Sequence, residues 1–193
     1  MNDTPPTNWH EANQRYLTAR LSVVREALER HAARGREIAE EESDKTTEAT
    51  LRAAALALPA PSALDFLCGV FSLSSFERDV LLLCAGVEMD AQLAAQCEAA
   101  GLRGIGATFG LAFAALEAPH WSALAPDRPL RRWRLLEVDE AAGLARGRLR
   151  IDERVLHYLA GVNGLDVRLR SLLRPTLPPA AMAGTHRAIA DAV

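Results

Sequence analysis

The sequence predicts a mainly helical fold of the α+β class, in which a long N-terminal helix and a set of shorter helices are completed by one β-hairpin. Three observations carry this. Of the 193 residues 49% are hydrophobic but only 5% aromatic, so Ala and Leu, both good helix formers, must fill much of the interior. Leu17, Leu21, Val24 and Leu28 recur at close to 3.6-residue spacing. Alternation of charged and apolar residues with period two appears in only one region, between Leu130 and Ile151.

The first helix is expected from Asn8 to Glu42, with Asn8 as N-cap, Glu11 three residues on, Ile38 continuing the stripe and Gly35 a point of division. The polar run 40–47 then reads as a loop or the mouth of a helical hairpin, returning through Leu51 to Leu58 before Pro59 and Pro61 stop it. A single apolar stripe must be covered, either by the rest of the domain or by a partner chain. From Ser62 the helices are short and well punctuated. Ser62 opens the first, to Phe71; Ser74 with Glu77 is a capping-box signature for Phe76–Gly86; Asp90 opens Ala91–Ala100; Thr108 starts one through Leu116. Val80 to Leu83 are consecutively apolar, which marks that helix as the centre of the core. Leu130–Val138 and Gly147–Ile151 read as two strands around a polar loop. Asp152 then caps Glu153–Ala160, and Asp166 a last turn through Leu173. Helices, a hairpin and a further helix follow the order of a winged-helix variant with the hairpin as its wing. The expected organisation is an N-terminal helical segment over 1–61, the winged-helix-like domain over 62–175 and a Pro/Ala-rich linker over 176–193.

Several functions are excluded or disfavoured. The longest apolar run, Val80–Val87, is far short of the roughly 20 residues that span a bilayer. The first residues lack the basic and apolar regions of a secretory signal, so a cytoplasmic protein without a membrane partner is expected. Lys45 is the only lysine and follows Asp44, so the chain has no G-K-S or G-K-T with which to hold nucleotide phosphates. Gly104-Ile105-Gly106-Ala107-Thr108-Phe109-Gly110 fails as a dinucleotide fingerprint, because Phe occupies its last glycine position and no strand precedes it. The five histidines are scattered and no H-E-x-x-H or G-x-S-x-G occurs, so no catalytic residues, cofactor or metal site are expected. Cys68, Cys84 and Cys97 are odd in number with no C-x-x-C, and read as reduced, buried core filler.

Charge is divided unevenly: the net −3 splits into −8 over residues 1–127 and +5 over 128–174. Arg131, Arg132, Arg134, Arg146, Arg148 and Arg150 crowd the expected hairpin, which suits an anionic partner or plain edge protection. The helix expected to precede the wing, Phe109–Leu116, carries no side chain able to read base edges. A protein partner is therefore the leading expectation, with a stand-alone nucleic-acid-binding regulator as the alternative. The candidate partner-binding residues are Leu17, Leu21, Val24 and Leu28 on the helix and Arg132, Arg134, Arg148 and Arg150 on the hairpin.

Four stretches carry a family resemblance: Ser74-Ser75-Phe76-Glu77-Arg78-Asp79-Val80-Leu81-Leu82-Leu83-Cys84-Ala85-Gly86-Val87-Glu88, Pro119-His120-Trp121-Ser122-Ala123-Leu124, Pro129-Leu130-Arg131-Arg132-Trp133-Arg134-Leu135-Leu136, and Leu149 to Gly161. Together they resemble the N-terminal region of a bacterial family of AAA-type ATPases often encoded with phage-tail-like contractile injection systems. The resemblance covers about Asn8 to Pro175. It implies a helical and winged-helix adaptor domain that recruits a substrate or injection-system component, or organises the ring. It also implies a parent protein with a downstream ATPase module that binds ATP and Mg and assembles into a ring-shaped homo-oligomer.

Overall fold

The computed structural model describes residues 7–33, 41–100 and 106–164. The chain divides into two compact units, Met1–Asn163 and Gly164–Val193. All elements below belong to the first. Ile38, Gly35, the turn at Asp166–Leu173 and the linker over 176–193 lie outside the described residues.

The helices are α1 (Thr7–Ala33), α2 (Glu41–Leu56), α3 (Ala63–Phe71), α4 (Ser75–Met89), α5 (Ala91–Ala100), α6 (Phe109–Ala115), the single turn α7 (Pro129–Arg132) and α8 (Glu153–Leu159). Strands β1 (Leu136–Val138) and β2 (Leu149–Ile151) form the hairpin, paired antiparallel with Leu136 opposite Ile151 and Val138 opposite Leu149. Short 3-10 turns cover Trp121–Leu124 and Glu140–Ala142. The mainly helical fold with one small sheet is thus the expected one.

The core gathers around α4, whose residues Val80 to Gly86 are all buried, as their consecutive apolar character predicts. The capping box is complete: Ser74 Oγ accepts from Glu77 N at 3.1 Å, and Glu77 Oε2 accepts from Ser74 N at 2.9 Å. Gly86 lets three helices close up. A Cβ there would stand 2.7 Å from Leu93 Cδ1 of α5 and 3.3 Å from Leu21 Cδ2 of α1.

α1 packs along α2, α4, α5 and α6, and Leu17, Leu21, Val24 and Leu28 are each no more than 6% exposed. The stripe is therefore corrected as a partner-binding surface. It is spent on the protein's own core, because each such side chain gains about 1.5–3 kcal/mol by leaving water and α4–α6 supply the cover. Asn13, also buried, ties three elements together: its Oδ1 accepts from Ala63 N at 2.9 Å and its Nδ2 donates to Leu159 O at 3.0 Å.

Three local expectations are also corrected. Asn8 lies inside α1 rather than at its cap, and Glu11 pairs with Arg15 one turn on. Of the run 40–47, residues 41–47 are the first turns of α2 rather than a loop, and α2 packs back on α1 as in the hairpin alternative. Leu130 to Leu135 is not strand: Pro129 sits at the first turn of α7, and Arg132 N and Trp133 N bond back to Arg128 O and Pro129 O.

Candidate functional site

In this topology the element just before the wing is α7, not α6. Thr108 bridges Arg148 antiparallel beside β2, and Leu149 N donates to Ala107 O at 2.8 Å, so a short strand-like segment enters α6 from the sheet. α6 follows with Phe109, Leu111 and Ala112 buried, then the 3-10 turn at Trp121, then α7 and the hairpin. The expectation that Phe109–Leu116 precedes the wing is corrected accordingly. Its buried face makes it a core helix.

α7 is short and firmly held. Arg131 Nη1 donates to Leu124 O at 2.8 Å, Leu130 is fully buried, and Leu135 N donates to Leu130 O. Arg134, at φ 51°, takes a left-handed turn that directs the chain into β1. The result exposes Arg132, Trp133 and Arg134 in succession. Trp133 is 54% exposed and rests against Phe71, at the end of α3, with ring centroids 5.7 Å apart; the Arg132 guanidinium lies 5.4 Å from the Trp133 ring centroid.

The six hairpin arginines do not form one stripe. Arg131 and Arg132 belong to α7 and Arg134 to the turn after it, while Arg146 is exposed in the loop. Arg148 is half-buried at the Thr108 bridge. Arg150 is exposed, but Glu137 lies directly opposite it across the hairpin. Of the four candidate arginines, Arg132 and Arg134 flank Trp133 in the turn before the hairpin, while Arg148 and Arg150 belong to the second arm of the wing. Gly147 permits the tight wing, since a Cβ there would fall 2.0 Å from Asp139 O.

Behind α7, Glu77 is fully buried, with Arg128 Nε 3.7 Å from its Oε1, which anchors the start of α7 on the α4 capping box. His120 bridges the hydroxyls of Ser74 (2.8 Å) and Ser122 (2.9 Å) and stands edge-on to Phe76. The Ser74 hydroxyl is engaged at the N-cap, so the pair reads as a loop anchor. No group of His, Cys, Asp or Glu able to hold a metal occurs among the described residues. Burial pushes the thiols of Cys68 and Cys97 up to about 11 and Cys84 higher still, which keeps all three protonated and unreactive near neutrality. No single helix among the described residues is long and apolar enough to cross a membrane.

Two exposed features escaped the sequence reading. Trp121, 67% exposed, stacks on Phe113 at 5.4 Å, and Phe113 in turn stacks on Phe76. Phe66 and Val70 project from α3, 58% and 60% exposed. Their sequence signal was present: α3 is apolar around nearly its whole circumference, more than one buried face can use.

A family model described as "winged helix domain, variant" matches residues 9–173. No curated protein and no solved structure matches the chain.

Proposed function

Because the chain belongs to the variant winged-helix domain family, whose fold serves either nucleic-acid binding or protein interaction, we propose that it works as a non-catalytic protein-interaction module. The observation that carries this reading is the content of α7. In the turn just before the wing this chain sets an exposed Trp133 on Phe71 with Arg132 over its ring. Trp and Arg are the residues most enriched at the energetic centres of protein interfaces. The remaining arginines favour the same reading. A phosphate backbone calls for a row of cations, whereas Arg148 is half-buried and Arg150 faces Glu137.

The finer proposal rests on the sequence resemblance. In it, the module is the N-terminal adaptor of an AAA-type ATPase, recruiting a substrate or an injection-system component, or organising the ring. ATP and Mg chemistry belongs to the parent protein, and the module needs no cofactor of its own. The test is a charge-reversed chain carrying Arg132→Glu, Arg134→Glu, Arg148→Glu and Arg150→Glu. It should lose capture of its partner with only a small fall in melting temperature, since the substituted residues lie outside the core and the one adverse contact created is that of Arg150→Glu opposite Glu137, a cost below about 1 kcal/mol. Undiminished capture would remove these arginines from the proposal. Duplex DNA affinity that falls steeply with salt would instead support a nucleic-acid regulator.

A further inference from the structure

α3 presents a second apolar face. Ala63, Leu64 and Leu67 take its buried side, while Phe66 and Val70, one turn apart, point to solvent. Gly69 beside them is open: a Cβ added there would meet nothing within 4 Å. At the end of the same helix Phe71 receives the exposed ring of Trp133. Single exposed apolar residues are ordinary, but Phe66, Val70 and Trp133 on and against one nine-residue helix are a concentration that marks an interaction site.

Arg132 and Arg134 flank Trp133, and neither makes an ion pair with another described residue. Asp65, the exposed acid of α3, accepts from Tyr16 Oη at 3.1 Å and from Ser62 Oγ at 2.8 Å and keeps its charge, so the cationic rim lies on the Trp133 side of the face. We infer that the α3 face and Trp133 dock an acidic amphipathic segment of a partner protein, its apolar side chains covering Phe66, Val70 and Trp133 and its carboxylates meeting Arg132 and Arg134. This rests on the protein-interaction reading above and gives the partner its chemistry. A nucleic acid would satisfy the arginines but would offer no aliphatic side chain to Val70; an apolar helix face with a cationic rim is complementary to a helix with an acidic flank.

The experiment pans a display library of random peptides, each about four helical turns long, against the full chain and measures the enriched peptides by fluorescence anisotropy. The expected peptides carry Leu, Phe or Trp at three- or four-residue spacing beside Asp or Glu. Their affinity should fall at least about tenfold for Phe66→Gln with Val70→Gln, and separately for Trp133→Gln. Arg132→Glu with Arg134→Glu should turn the preference towards Lys- and Arg-bearing peptides. These positions are exposed, so all variants should melt close to the parent chain.

Failure to enrich peptides of this kind, or binding indifferent to these substitutions, would overturn the inference. So would competition by a labelled DNA duplex or single strand that the same substitutions abolish, or a sedimenting dimer that they dissociate. A protein partner still captured by the Phe66→Gln, Val70→Gln chain would leave the interaction module standing and remove only this face. A parent chain that captures no protein partner at all would instead defeat the interaction reading itself.

Discussion

Replacing Gly147 by Ala should unseat the wing, and the size of the effect follows from its geometry. An alanine Cβ would stand 2.0 Å from Asp139 O and 3.1 Å from Gly143 O, so the loop backbone must move by about 1.5 Å to reach an ordinary contact. Two hydrogen bonds resist that movement: Asp139 N donates to Arg148 O at 2.9 Å and Gly147 N to Gly143 O at 2.7 Å. Losing one or both costs about 1 kcal/mol each, and overpacking adds about 1–3 kcal/mol. Leu136 and Leu149 carry the hairpin into the core, so the cost is felt by the whole unit. A total of about 2–5 kcal/mol should lower the melting temperature by about 5–15 °C for a chain of this size. Differential scanning calorimetry reads the shift, and amide exchange at Asp139, Gly147 and Leu149 should quicken with it. Gly69→Ala supplies a control of opposite sign: its Cβ has open space, and alanine is better than glycine in an exposed helix by about 0.5–1 kcal/mol. A Gly147→Ala chain that melts within about 2 °C of the parent, with exchange unchanged, would refute the close-approach account.

Three further outcomes are expected. Leu28→Ala should cost about 2–5 kcal/mol in urea unfolding, since Leu28 is 1% exposed; a cost below about 1 kcal/mol would mean that the α1 stripe is not core. Stability should fall as the medium is acidified below about pH 4, in part through Asp90. Burial opposes ionisation of that carboxyl, but the amides of Gln92 and Leu93 and the Arg25 guanidinium outweigh it and hold its pKa below the ordinary value. Its stabilisation is therefore present above the unfolded pKa and lost as pH drops through the folded one. Asp90→Asn should flatten that part of the acid limb, and an unaltered limb would contradict it. Native Cys84 and Cys97 should resist alkylation at pH 8 and react once urea unfolds the chain, because burial keeps both thiols protonated; rapid native labelling would contradict their placement in the core.

Much of the fold was legible from local rules. Ser62, Ser74, Thr108 and Asp152 each open the helix that their side-chain chemistry predicts, and Asp90 accepts from the amides of Gln92 and Leu93 at the start of α5. Long-range cover was not legible. The stripe at Leu17, Leu21, Val24 and Leu28 has the same spacing whether α4–α6 or a partner covers it. Alternation misled at Leu130–Leu135, because two periods of an apolar-charged pattern fit a helical turn as well as a strand, and Pro129 favoured the turn. The candidate site was legible in part. Arg132 and Arg134 were singled out, but their meeting with Trp133 and Phe71 depends on α7 folding back against the end of α3, which no sequence spacing encodes.

The most direct test of the interaction reading places an aromatic photo-crosslinking amino acid, which keeps a ring against Phe71, at Trp133 of the protein in its own cell. A second chain carries it at Arg52, on the exposed side of α2. The account expects a discrete adduct from position 133, not from position 52, that survives nuclease and is destroyed by protease. An adduct at 133 that nuclease removes, or equal adducts at both positions, would contradict it.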